Sequence, residues 1–243
     1  MNNTKHYRTI RSFVKREGRI TPAQKTAFET LLPIYGLPTT RLDFSDIFKN
    51  QLPVFLEIGF GMGQSLAEMA AAFPEINFIG VEVHRPGVGA LLQAIHERHL
   101  SNIRISSIDA VTLLTEQIPD HSLDKIQIFF PDPWHKKRHH KRRLIQPAFI
   151  QLVYQKLKPQ GILHIATDWQ DYADHITAVM DQESRFKSLN DAEKLPREYT
   201  WRPTTKYEQR GERLHHVTHD FLFISKRPLF QQEFFPSDPD NNR

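Results

Sequence analysis

Between Pro53 and Gln182 short apolar runs of strand length alternate with amphipathic stretches of helical length, and this rhythm leaves few folds open. Residues 54–58, 77–83, 103–106, 125–130 and 161–166 read as buried strands, and residues 64–73, 86–99, 110–117, 144–157 and 169–182 as helices. Strands and helices in strict succession form a parallel sheet, because right-handed crossovers carry the helices onto both of its faces. The expected architecture is therefore α/β: a three-layer, doubly wound, mostly parallel sheet. Residues 217–224 alternate enough to add a last strand, antiparallel and at or near the edge. Ligands of such sheets bind beyond the carboxyl ends of the strands.

The chain before this block lacks a comparable period. Lys5, Arg8, Arg11, Lys15, Arg16 and Arg19 stand against one acid, Glu17, so residues 1–20 read as a flexible basic arm. Thr21-Pro22 followed by Gln24 reads as a helix start opening residues 23–32, and Pro33, Gly36 and Pro38 as its end. The folded domain is expected over residues 21–226. Residues 227–243, with Pro228, Pro236 and Pro239, read as a frayed tail. No apolar stretch reaches membrane-spanning length, and residues 1–19 contain no apolar signal-peptide core. The absence of cysteine removes a disulfide frame, a thiolate zinc site and a Cys nucleophile. A cytoplasmic protein with no membrane partner is the expectation. The net charge is only +4, but two dense basic clusters point to a polyanionic partner.

The second cluster follows the fourth strand. Ile128-Phe129-Phe130 ends in Pro131-Asp132-Pro133-Trp134 and continues as His135-Lys136-Lys137-Arg138-His139-His140-Lys141-Arg142-Arg143. Two prolines around one Asp forbid helix and remove two ladder donors, so Asp132 sits in a stiff turn. A carboxylate, an indole and six Lys/Arg thus leave one strand end together, an arrangement suited to something flat and anionic. Residues 136–143 are expected to grip phosphates, since phosphate contacts set register while base contacts specify. Trp134 reads equally as a base-stacking side chain or a packed hinge residue. His135, His139 and His140 complete no metal site, because no Cys or clustered carboxylate joins them, and no metal is expected.

Glu57-Ile58-Gly59-Phe60-Gly61-Met62-Gly63 joins the first strand to its helix, where glycines allow a tight turn and the close approach of a ligand. The dinucleotide fingerprint wants its third glycine one position later, where Gln64 stands, and no Gly-Lys-Ser/Thr follows. A phosphate cradle is therefore disfavoured. Glu82, 19 residues after Gly63, can accept from ribose hydroxyls, and Asp109 beyond the third strand from an adenine amino group. Taken alone, Asp109 reads better as a helix N-cap. Three acids and a glycine turn at three consecutive strand ends favour a positively charged, phosphate-free cofactor, S-adenosylmethionine over a nicotinamide dinucleotide. A methyltransferase is thus favoured over a dehydrogenase. A methylase with another substrate, and a nucleic-acid-binding protein on a retired methyltransferase fold, are the alternatives.

The chain resembles the bacterial tRNA (guanine-N7-)-methyltransferases from about Arg8 to Ile224. The resemblance is carried by the glycine turn, by Gly80-Val81-Glu82, by residues 131–139, by Ala166-Thr167-Asp168-Trp169 and by Thr205-Lys206-Tyr207-Glu208-Gln209-Arg210-Gly211. It implies a seven-stranded class I methyltransferase fold. It also implies methyl transfer from S-adenosylmethionine to N7 of guanosine 46 in the tRNA variable loop, leaving S-adenosylhomocysteine. Cofactor contacts are implied at Glu57, Gly59, Gly61, Gly63, Glu82, Asp109 and Asp132, with Asp132 also marking the active site. Substrate contacts are implied at Lys136, Asp168, Thr205, Lys206, Tyr207 and Glu208, and RNA contacts at Arg138, His139, His140, Lys141, Arg142 and Arg143. The partner implied is tRNA, met by a monomer or a homodimer. One departure is His215, where the family pattern has glycine. Because guanine N7 carries a lone pair and no proton, Asp132 is expected to position the base rather than to act as a general base.

Overall fold

Thr21 opens helix α1 (Pro22–Tyr35). Its hydroxyl accepts from the Gln24 N–H at 3.2 Å while Gln24 Oε1 accepts from the Thr21 N–H at 3.0 Å, and proline occupies the first turn. The computed structural model describes residues 18–189, 195–204, 208 and 217–228. Most of the basic arm, residues 205–207, His215 and the tail beyond Pro228 lie outside the described residues. Pro33 does not end α1 as expected. Phe28, Leu31, Leu32 and Tyr35 pack on the buried core, and this packing carries the helix past its proline to Gly36, whose N–H donates to Leu32 O at 2.7 Å.

The seven described strands are β1 (Val54–Ile58), β2 (Asn77–Val81), β3 (Ile103–Ser106), β4 (Leu123–Phe129), β5 (Leu157–Thr167), β6 (Phe186–Ser188) and β7 (His219–Ser225). They form one sheet in the order β3-β2-β1-β4-β5-β7-β6, with β1 to β5 parallel and β7 antiparallel to both neighbours. A short α2 (Phe44–Phe48) precedes β1. The crossovers are α3 (Gln64–Ala72), α4 (Arg85–Glu97), α5 (Ala110–Thr112) extended by a π-helical turn, α6 (Pro147–Lys156) and α7 (Gln170–Asp181), and α8 (Arg197–Thr200) precedes β7. Strand alternation sorts the side chains. Phe55, Phe78, Phe129 and Ala166 join α1, α3 and α4 in one core, while Leu56, Ile58, Ile126, Ile128, Leu163 and Ile165 join α6 and α7 in the other. This is the three-layer, mostly parallel sheet expected. No helix among the described residues is long and apolar enough to cross a membrane.

Several boundaries differ from the local reading. Strand β2 stops at Val81, because the Glu82 carboxylate turns onto nearby backbone N–H groups. Helix α6 begins at Pro147 rather than residue 144, since proline is favoured in the first turn, where its missing N–H costs no helical bond. Strand β5 starts early, at Leu157, and absorbs Pro159 in an irregularity where Gln160 is left-handed at φ 61°. The three-residue β6 was not expected, and it takes the outer edge beside β7. In residues 195–204, which the sequence left unassigned, Tyr199 packs 5.0 Å from the Phe55 ring and Trp201 5.5 Å from that of Phe73. This segment therefore covers the same sheet face as α3 and α4.

Candidate active site

The strand order reverses between β1 and β4, and there, beyond the carboxyl ends of the strands, a cleft of about 460 Å³ opens. Glu57 near the end of β1, Glu82 after β2, Asp109 after β3 and Asp132 after β4 all line it, together with Gly59, Gly61 and Gly63. The expected cofactor residues are thus brought together. Glu68 and Thr204 are among the further lining residues that were missed. Glu68 lies one turn into α3 from Gln64, a spacing that could have shown it facing the glycine turn, whereas Thr204 returns from the far end of the chain and carried no local signal. The described residues lining the cleft include five acids (Glu57, Glu68, Glu82, Asp109 and Asp132) and no Lys, Arg or His.

Each acid is held differently. Glu82 ties the glycine turn to β2: one carboxylate oxygen accepts from Gly61 N–H at 3.1 Å, the other from Val83 and His84 N–H at 2.7 and 2.9 Å. Three of its roughly four acceptor positions are thereby used, leaving about one for a ligand. Asp109 accepts from Thr112 N–H at 3.1 Å, so it caps α5 and lines the cleft at once. Glu57 is buried, and Gln127 Nε2 on the adjacent strand donates to it at 2.7 Å. Burial pushes its carboxyl up to about 7, against the opposing pull of that hydrogen bond and of nearby Lys125. Gly63 stands at φ 75°, and a Cβ there would lie 2.6 Å from that of Leu91, so only glycine lets α3 leave the turn against α4.

Asp132 is exposed at the tip of its turn. Phe130 and Trp134, on either side of Pro131-Asp132-Pro133, are both left-handed at φ 52° and 51°, a conformation bulky residues rarely adopt. Lys137–Arg142 fold back as a 3₁₀ turn, which places the Arg142 guanidinium 4.0 Å above the Trp134 ring and His139 edge-on to it. His135 packs 4.2 Å from Trp169, beside Asp168 at the end of β5. Lys136, Lys137, Arg138 and Lys141 are exposed. His140 is half-buried, 3.6 Å from the Asp171 carboxylate of α7.

Arg143 corrects the expectation that it faces RNA. Its side chain is 1 % exposed. It donates to Pro133 O at 2.9 Å and to Asp171 O at 3.2 Å, pairs with the Asp171 carboxylate, and lies 4.9 Å from the Tyr172 ring centre. It is an internal bracket between the proline turn and α7. Thr205, Lys206 and Tyr207 lie outside the described residues. Glu208 accepts from Arg202 at 2.5 and 2.8 Å. Among the described residues no group of three or more His, Asp or Glu is placed to hold a metal ion.

An antiparallel β7 inserted beside β5, a glycine turn after β1 and acids at the next strand ends together define a class I methyltransferase. An antibiotic-related methyltransferase of known structure shares this fold, with a TM-score of 0.51 at 18% identity over 79% of this chain and 98% of that one. Residues 51–221 match the family model described as "Putative methyltransferase". The tRNA (guanine-N(7)-)-methyltransferase of Alcanivorax borkumensis is 53% identical over 218 residues, 89% of this chain and 91% of that protein. The enzyme of the same name from Idiomarina loihiensis is 52% identical over 226 residues, 92% of each. The chain belongs to the tRNA (guanine-N7-)-methyltransferase family.

Proposed function

We propose that this protein transfers a methyl group from S-adenosylmethionine to N7 of guanosine 46 in the variable loop of tRNA. One observation carries the reading: an acid-lined cleft without a cationic residue opens at Asp132, next to the exposed cations Lys136, Lys137, Arg138 and Lys141. Five carboxylates repel a phosphate-bearing cofactor and suit one that is cationic. Glu57 faces the positive end of such a cofactor, the remaining acceptor position of Glu82 suits its ribose, and Asp109 suits its adenine amino group. The basic rim suits the phosphates of the RNA, through Lys136, Arg138, His139, His140, Lys141 and Arg142. Position 46, and substrate contacts at Asp168, Thr205, Lys206, Tyr207 and Glu208, follow from the family resemblance. A tRNA substrate puts the work in the cytoplasm.

Bound S-adenosylmethionine supplies an electrophilic methyl on a sulfonium. Asp132 has no proton to remove from N7. It accepts from the guanine N1–H and exocyclic amino group, which selects guanine over adenine and holds N7 in line with the methyl. Alignment of this kind contributes roughly 7–11 kcal/mol. As the base becomes cationic, the same carboxylate stabilises the developing charge. The test is to incubate the protein with labelled S-adenosylmethionine and unmodified tRNA, digest the product and map the modified nucleoside. N7-methylguanosine at position 46 is expected. Label in any other nucleoside, or none, overturns the reading, and N7-methylguanosine elsewhere overturns the position.

A further inference from the structure

Arg202 lies at a junction that no sequence pattern marked. Its guanidinium donates to both oxygens of Asp220, at 2.9 and 2.6 Å, and to both oxygens of Glu208, at 2.5 and 2.8 Å. The same group sits 5.6 and 5.5 Å from the ring centres of Phe129 and Phe130, which end β4 and lead into the Asp132 turn. Asp220 is itself anchored in β7. The buried His164 ring, kept neutral by burial, donates to it from Nε2 at 2.9 Å. Burial works against the Asp220 carboxylate, but hydrogen bonds from His164 and Arg202 outweigh it and hold the group well below the ordinary range. Two residues beyond Arg202, Thr204 lines the cleft.

One planar cation, two residues before Thr204 of the cleft lining, therefore joins β7, the end of β4 and Glu208. Two forked pairs use the directional donors that distinguish arginine from lysine, whose ammonium cannot span two carboxylates in this way. We propose that Arg202 is a positioning residue for methyl transfer, fixing Glu208 and β7 against the end of β4 that leads into the Asp132 turn at the mouth of the cleft. The inference rests on the N7-methylation reading. It concerns neither cofactor affinity nor phosphate gripping, because the Arg202 guanidinium is engaged by two carboxylates and Arg202 is not among the residues lining the cleft.

The experiment compares wild type, Arg202→Lys and Asp220→Asn for kcat, for KM toward tRNA, for S-adenosylhomocysteine affinity by calorimetry, and for melting temperature. Arg202→Lys is expected to lose about 10- to 100-fold in kcat, the scale of a misplacement near 1 Å, with S-adenosylhomocysteine affinity unchanged. Asp220→Asn leaves the Arg202–Glu208 pair intact, alters a residue outside the cleft lining, and should show the same kcat-selective loss even if the lysine variant fails to fold. A lowered melting temperature with unchanged kcat in the folded variants would make Arg202 a stabilising residue only and overturn the proposal. So would a loss of S-adenosylhomocysteine affinity as large as the loss of kcat. A wild type that forms no N7-methylguanosine overturns the proposed function and this inference with it, whereas an active wild type matched by both variants overturns this inference alone.

Discussion

Asp132 and Glu57 are both carboxylates of the cleft, but one is exposed at the tip of a strained turn and the other is buried in the sheet. A positioning role for Asp132 predicts that Asp132→Asn lowers kcat by about 10²- to 10³-fold, the usual cost of removing a group aimed at transition-state charge. Single-turnover kinetics check this, and an unaltered kcat would remove Asp132 from the reacting base. Glu57 should make cofactor binding depend on pH. With its carboxyl raised to about 7, it is largely protonated below neutrality, while a cationic ligand favours the ionised form. Affinity for S-adenosylmethionine should therefore rise with pH up to about 7 and then level off. Calorimetry on Glu57→Gln should show weaker binding and no such rise, and an identical rise in the variant would remove Glu57 from the cofactor site. The same shift has a stability sign: Glu57 favours the folded state below its ordinary value of 4.5, and that contribution is lost as pH rises through about 7.

At the scale of elements, the proline turn is held from inside by Arg143 and exposed outside at Lys137, Arg138 and Lys141. Arg143→Met strands Pro133 O and leaves Asp171 at the surface, so a loss of about 1–3 kcal/mol is expected in denaturant unfolding. A variant as stable as wild type would return Arg143 to the RNA-facing set. Strand β4 carries an opposite anomaly. Lys125 is fully buried, its amine has no hydrogen-bond partner among the described residues, and burial brings it down to about 7 despite the attraction of Glu57. Above pH 7 the folded state has released this proton, while the unfolded chain keeps it to about 10.4. The unfolded state then binds more protons, and stability from this group rises between those limits. Lys125→Met should be more stable at pH 7, by about 1–3 kcal/mol, and should lack that rise. Melting curves from neutral to alkaline pH check both, and parallel curves would count against the buried amine as the cause.

At the scale of the molecule, the described cleft lining carries five acids and no cation, while Lys136, Lys137, Arg138 and Lys141 are exposed beyond the Asp132 turn. This separation lets one site take a cationic cofactor and a polyanionic substrate together. Replacing Lys137, Arg138 and Lys141 by glutamine should weaken tRNA binding and lower the slope of log affinity against log salt by roughly 2 to 3, at about 0.7–0.9 per lost phosphate contact. S-adenosylhomocysteine binding should not change. An unaltered salt slope would make the patch a solvated face without a part in binding.

Most of this architecture was already present in local pattern. Alternating periods of two and 3.6, punctuated by glycine and proline, determined the strand–helix succession and hence the parallel sheet. They also determined that Glu57, Glu82, Asp109, Asp132 and Asp168 stand at strand ends, since a strand end is a local event. What the tertiary structure alone decided involves residues remote in sequence. Helix α1 outlasts Pro33 because the core holds its last turn. The three residues of β6 form a strand only because β7 is there to pair with them. Arg143 turns inward because Asp171 waits 28 residues later. Arg202 becomes a junction because Asp220, Glu208 and the end of β4 converge on it in space. Backbone preference acts between neighbours and can be read along the chain, whereas the partner of a buried charge is settled only when the sheet brings distant strands together.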